Sequence, residues 1–306
     1  MLGASCSLTP APQFARPALP LPAAVQSRFA LPEAPRLLHI DGGAGPVRVG
    51  ELVCGDDRVR FHWHRADRPD RPLVLLVPIL AGGEPLMQTL ARRFVGRGYH
   101  AIYCDRAAPA LRPPQRGADL ERLFVQTVRQ QRAALAWTHS DEAAAQGLVP
   151  LHRFACGVSM GGMVTAVLTA VEPDLDAAAM CLAGADLPRI VERSAEVRIE
   201  QWRRWRRDAD GIAASPLRQE LARSLRSDPL RLAPHVATDR VFLVATAFDD
   251  VVRAPQQDLL WEAFGRPQRM TVPFGHYSAA LALDPIVAAI DDFFAARAGA
   301  AATSAP

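Results

Sequence analysis

Gly157-Val158-Ser159-Met160-Gly161 sits between two apolar runs of different character. Before it, His152-Arg153-Phe154-Ala155-Cys156 is short and mostly apolar, which suits a buried parallel strand better than a helix. After it, Met163, Val164, Val167, Leu168 and Val171 recur at helical spacing, and Glu172-Pro173 ends the run, because the residue before a proline is driven out of the α region. A serine on a sharp strand-to-helix turn exposes its hydroxyl at the edge of a sheet, and Gly157 and Gly161 let neighbouring backbone pass close by. Ser159 is therefore the candidate nucleophile. The plainer alternative, a small residue in a glycine-rich turn, leaves the flanking strand and helix patterns unused.

A serine nucleophile needs a base, and His276 is the best-placed histidine. It follows the strand-like Arg269-Met270-Thr271-Val272, and Gly275 beside it permits a tight turn. His39, His62, His64, His100, His139, His152 and His235 lie near the N-terminus or at element edges. The imidazole needs a carboxylate to hold its tautomer and stabilise the imidazolium. Asp249 and Asp250 follow the β-rich run Val241 to Ala247, so both fall in a loop at a strand's C-terminal end; Asp186, after the run Ala177 to Ala183, is a rival. The chain order Ser159, Asp249, His276 differs from the orders of the chymotrypsin and subtilisin proteases.

From these residues the chain resembles the α/β-hydrolase fold, in its serine esterase, lipase and acyl-hydrolase branch, over roughly residues 36 to 297. The resemblance implies Asp249 as the acid, because Asp249-Asp250-Val251-Val252 is similar to the family's acid loop, in which a hydrophobic residue packs the loop down; Asp250 is the alternative. It also implies an oxyanion hole built from the backbone N–H of Met160 and an N–H in the loop Pro78-Ile79-Leu80-Ala81-Gly82-Gly83. By register that second donor is Leu80, with Ile79 or Ala81 as alternatives. Many members carry His-Gly where this chain has Pro78-Ile79, so the loop departs from the family pattern. The activity implied is hydrolysis of a carboxylic ester or thioester through an acyl-enzyme, on a small-molecule substrate and without cofactor or metal; a peptidase or a carbon–carbon hydrolase could use the same residues. A non-catalytic protein of the same fold, binding a ligand or a partner, is the alternative.

Outward from the Ser159 turn, strand and helix patterns alternate. Val47 to Val53 and Arg60 to His64 read as half-exposed antiparallel strands, and Leu73 to Val77 and Tyr99 to Cys104 as buried ones. Helices are expected through Leu86 to Val95, about 119 to 137, near 256 to 264, and through Ile286 to Phe294. The fold class is α/β, a doubly wound, mostly parallel sheet. The interval between Ala183 and Val241 exceeds 50 residues, far more than a crossover requires, and its amphipathic pattern predicts a helical cap over 187–235. The core is then 36–186 with 236–297, preceded by a flexible Pro- and Ala-rich extension (1–35) and followed by a disordered small-residue tail (298–306). Trp202 and Trp205 share a cap face; they either line an acyl or aromatic pocket or touch lipid, or they glue the cap to the core.

Composition closes off other classes. The 306 residues, 49 % hydrophobic, can build one sizeable core. All 35 basic residues are arginine, and asparagine is also absent, the usage of a GC-rich genome; a net charge of only +3 leaves no basic field for nucleic acid. Arg203-Arg204 and Arg206-Arg207 read as a solvated helix face, and His62 and His64, with no third ligand nearby, as a surface strand. The five cysteines, Cys6, Cys54, Cys104, Cys156 and Cys181, read as core residues rather than disulfides. No apolar stretch is long enough to span a membrane. Met1 to Cys6 loosely resembles the end of a lipoprotein signal but lacks its basic and apolar segments. A cytoplasmic location is expected, with export or a lipid anchor as the alternative were the true start upstream of Met1. The sequence does not fix an oligomeric state.

Overall fold

Leu73–Val77 is buried at every residue, and its side chains divide by parity between two cores. Leu73, Leu75 and Val77 join one apolar cluster, while Val74 and Leu76 join the other. Successive side chains of a strand point to opposite faces, so a strand apolar at every position must be covered on both.

The computed structural model describes residues 6–42, 45–80, 82–106 and 109–304. The first half of the chain forms β1 (Ser7–Thr9), α1 (Ala23–Phe29), β2 (Arg36–Ile40), β3 (Val47–Cys54), β4 (Asp57–His64), β5 (Leu73–Val77), α2 (Glu84–Val95), β6 (His100–Cys104), α3 (Gly117–Trp137) and α4 (Asp141–Ala145). The second half forms β7 (Arg153–Val158), α5 (Met160–Val171), β8 (Ala177–Cys181), α6 (Leu187–Arg193), α7 (Val197–Asp210), α8 (Ala214–Ser224), α9 (Pro229–Leu232), β9 (Val241–Thr246), α10 (Ala254–Ala263), β10 (Gln268–Val272) and α11 (Leu283–Ser304).

The strands make one sheet in the order β1-β10-β9-β8-β7-β5-β6-β4-β3-β2. Its centre, from β10 to β6, is parallel, and β4, β3 and β2 continue it antiparallel at one edge. The expected doubly wound, mostly parallel sheet is thus present. Helices α2 and α11 cover one face through Leu90, Phe94, Ile290 and Phe294. Helices α3, α5 and α10 cover the other through Phe124, Val128, Val164, Val167 and Leu260. Residues between β8 and β9 form α6 to α9, and their apolar side chains, including Leu187, Trp202, Leu217 and Leu221, join that second core.

Several expectations are corrected by long-range partners. The first 35 residues are not a free extension: β1 pairs antiparallel with β10, and Phe29 is fully buried. At the other end, α11 runs on to Ser304 rather than stopping near 297, as its alanine-rich sequence permits. His62 and His64 are buried, because β4 lies inside the sheet between β3 and β6. His62 stacks on Tyr103 and faces Asp105 at 3.1 Å, while burial pushes His64 down to about 4. Arg206 is also buried, under the charges of Asp210 and Glu220. Cys54, Cys104, Cys156 and Cys181 are buried free thiols and Cys6 is exposed.

Candidate active site

Five loops at the C-terminal ends of the parallel strands β5, β6, β7, β9 and β10 converge on one end of the sheet, where the strand termini of an open α/β sheet leave a crevice. The turn from β7 to α5 brings Ser159 there. Its backbone has φ 57° and ψ −122°, outside the regions L-residues favour, a strain of about 1–3 kcal/mol that the surrounding packing must hold. That packing needs its glycines. A Cβ at Gly157 would collide with the carbonyl of Gly161 and with Thr165 Oγ1, and one at Gly161 would collide with the carbonyl of Val77.

His276 enters from the turn after β10. Its Nε2 lies 2.9 Å from Ser159 Oγ and its Nδ1 lies 2.8 Å from Asp249 Oδ2. A carboxylate can only accept, so Nδ1 carries the proton and Nε2 is left to accept from the serine hydroxyl. The turn is held by Ser278 Oγ, which accepts from the Gly275 N–H at 3.0 Å.

Asp249 is fixed from all sides. Oδ1 accepts from the backbone N–H groups of Val251 (2.9 Å) and Val252 (2.8 Å), and Oδ2 accepts from Thr246 Oγ1 (2.7 Å) as well as from His276. Burial pushes its carboxyl upward, but the bonds to His276, Thr246 and Val252 outweigh burial and hold it below the usual carboxylate range. Gln257 braces the loop, accepting from Thr246 N–H at 3.0 Å and donating to the Val252 carbonyl at 2.6 Å. Asp250 is exposed, and its carbonyl accepts from Ala195 N–H at 3.0 Å. Asp186 caps α6 by accepting from Arg189 N–H. Of the three carboxylates, Asp249 is the one that meets His276.

Met160 is the first residue of α5, and Leu80 stands beside Ser159 in the loop after β5. Ile79 is held there by its carbonyl; Ala81 lies outside the described residues. The carbonyls of Pro78 and Ile79 both accept from Arg106 Nη2, at 3.3 and 2.7 Å, while Nη1 of the same guanidinium meets Met160 Sδ at 3.5 Å. Burial and the like charge of Arg198 push Arg106 down to about 10, and among the described residues no carboxylate pairs with it. Arg106 escaped the sequence reading, as did Thr246, Gln257 and Glu196. The available signal for Arg106 was its place just past the C-terminal end of a buried strand.

Two cavities open on Ser159. The larger, about 190 Å³, runs between α2 and α11; the smaller, about 100 Å³, runs beneath α6 and the start of α7. Leu80, Ser159 and Glu196 line both. Neither Trp202 nor Trp205 lines either one. Trp202 is 1 % exposed, its indole N–H donates to the Gln115 carbonyl at 2.9 Å, and Arg206 lies over its ring; Trp205 packs against the Arg116 guanidinium. A broader hollow of about 860 Å³ elsewhere, between α3 and α8, is charged and contains no nucleophile beside a base. Among the described residues no group of three or more His, Cys, Asp or Glu side chains could hold a metal ion, and no helix is long and apolar enough to cross a membrane.

This architecture recurs in solved structures. An α/β hydrolase from Penicillium sp. sh18 superposes with a TM-score of 0.59 at 14 % identity, over 83 % of this chain and all (100 %) of that one. The chain has the α/β-hydrolase fold. A cold-adapted esterase from an Arctic intertidal metagenomic library shares this α/β-hydrolase architecture (TM-score 0.56, 19 % identity, 83 % of this chain and 99 % of that one). So does an acetyl xylan esterase from Paenibacillus sp. R4 (TM-score 0.57, 14 % identity, 87 % and 91 %). No protein-family model and no curated protein matches the sequence. At these identities the likeness is one of α/β-hydrolase fold.

Proposed function

We propose that the protein is a serine hydrolase that cleaves a carboxylic ester or thioester through an acyl-enzyme, with Ser159, His276 and Asp249 as its catalytic triad. The observation that carries this reading is the continuous hydrogen-bonded line from Ser159 Oγ through His276 to Asp249, at 2.9 and 2.8 Å. Ser159 Oγ attacks the carbonyl carbon as its proton passes to His276 Nε2, and Asp249 stabilises the imidazolium. The oxyanion is received by the backbone N–H groups of Met160 and Leu80, the former at the N-terminus of α5, where the helix dipole also favours negative charge. Collapse expels the alcohol or thiol, which leaves with the proton from His276. Water then attacks the acyl-enzyme, gives its proton to His276, and releases the acid with Ser159 restored. The helices between β8 and β9 act as a cap, since residues from α6 and the α7 N-cap wall the smaller cavity. The names of the structural neighbours, several of them esterases, support the same reading.

A fluorophosphonate probe and a series of p-nitrophenyl esters test it. The expected result is covalent labelling and turnover by the wild type, with both lost in Ser159→Ala by roughly a thousandfold or more. A wild type that neither labels nor turns over any ester refutes the reading, and labelling that survives Ser159→Ala assigns the nucleophile elsewhere.

A further inference from the structure

The two cavities at Ser159 differ in size, in wall and in position relative to His276. They meet at the nucleophile, so a scissile carbonyl at Ser159 sends one substituent into each. The imidazolium must return its proton to the departing oxygen, so the alcohol arm lies along the wall that His276 forms. His276 and Tyr277 line only the larger cavity; of the two proposed oxyanion donors, Met160 lines only the smaller and Leu80 lines both. The larger cavity therefore belongs to the alcohol and the smaller to the acyl group.

The volumes set the arms. An apolar cavity of about 150 Å³ accommodates benzene. The larger cavity, about 190 Å³ and walled by Leu86, Leu90, Ile286 and Ile290, accepts a phenyl ring or a chain of about seven carbons on that scale. The smaller, about 100 Å³ and walled by Leu120, Phe124, Met163 and Ile190, accepts about four carbons.

Glu196 sets the charge. Among the described residues it is the one carboxylate in the lining of either cavity, and it borders both. As the N-cap of α7 its Oε2 accepts from Ile199 N–H at 2.9 Å, which fixes the residue at the junction beside Ser159. An anionic arm passing the half-buried Glu196 into an apolar cavity would meet a like charge at the entrance.

Resting on the serine-hydrolase reading, we propose that the substrate is a neutral ester with a phenyl- or hexyl-sized alcohol arm and an acyl arm no longer than about butanoyl. Glu196 determines specificity against anionic acyl groups.

A matrix of esters varying each arm independently tests this: methyl, hexyl and phenyl butanoates against hexyl acetate, hexyl octanoate and the hexyl half-ester of succinate. We expect kcat/KM to rise roughly tenfold or more from methyl to hexyl butanoate, and to fall by a similar factor from hexyl butanoate to hexyl octanoate. Ile190→Ala, which widens the smaller cavity, should restore the octanoate, while Leu86→Trp, which narrows the larger, should abolish the advantage of hexyl over methyl. Glu196→Gln should shrink the discrimination between butanoate and hemisuccinate about tenfold. An enzyme that labels at Ser159 but prefers long acyl and short alcohol arms, or responds alike to both, refutes the assignment and leaves the hydrolase reading standing. A protein that labels with no probe and cleaves no member of the matrix refutes both.

Discussion

At the scale of single residues, Asp249 and Arg106 represent two kinds of buried charge. Asp249 accepts four hydrogen bonds, one of them from the imidazole it orients. Asp249→Asn keeps the shape but offers an amide where a carboxylate held the tautomer, so kcat should fall by about 10⁴-fold with the fold retained. Its acid stability should change too. A carboxyl whose folded pKa is depressed contributes stability above its unfolded value and loses that contribution as pH falls through the folded one. The urea midpoint of the wild type should therefore exceed that of Asp249→Asn by a constant amount above about pH 5, and the gap should narrow below about pH 4. Arg106 instead spends its guanidinium on the carbonyls of Pro78 and Ile79 and on Met160 Sδ, so it ties together the two segments that carry the proposed oxyanion donors. It is a positioning residue. Arg106→Ala should lower kcat by roughly 10- to 100-fold with KM little changed, and should weaken a boronate transition-state mimic more than the substrate; equal loss of both would mark a merely structural role.

At the scale of elements, what was legible in the sequence is what short-range pattern controls. The β7–α5 turn announces itself because strand, glycines and helix are contiguous, and β9 and β10 are followed within a few residues by Asp249 and His276. The resemblance favours Asp249 but leaves Asp250 open, since their sequence context is shared and the difference lies in which carboxylate turns toward Thr246 and the imidazole. Helix α7 was misread for a related reason: its arginines look solvated by composition, yet Arg206 is buried by Glu220 on the separate helix α8. Trp202, stacked beneath Arg206 and bonded to the Gln115 carbonyl, anchors α7 to the segment before α3. Trp202→Ala should destabilise the protein by about 3–5 kcal/mol, read from urea unfolding, through the cavity it leaves. Because the indole lines neither cavity, the chain-length preference of the folded variant should stay as in the wild type.

At the scale of the whole molecule, the N-terminal segment joins regions that its own composition gives no sign of reaching. A proline- and alanine-rich stretch has no period to read, and its order comes entirely from what it touches. Strand β1 covers the outer edge of β10, the strand that leads to His276. Arg16 donates to the carbonyls of Ala233 and Ala263, each at 2.9 Å, and its own carbonyl accepts from Thr238 N–H at 3.0 Å, which pins the approach to β9. Phe29 is fully buried against the α3 and α5 side of the sheet, and the Arg132 guanidinium donates to its carbonyl at 2.6 Å. Removing residues 1–34 thus takes away a core aromatic, worth about 3–5 kcal/mol in itself, and uncovers a sheet edge whose unpaired backbone groups can template association. Phe29→Ala separates the two effects, because it opens the cavity while leaving β1 in place. The point variant should unfold at lower urea but remain dispersed in light scattering. The truncated protein should show at least that loss of stability together with self-association, and a truncation as stable and as dispersed as the full chain would return this segment to the status of a free extension.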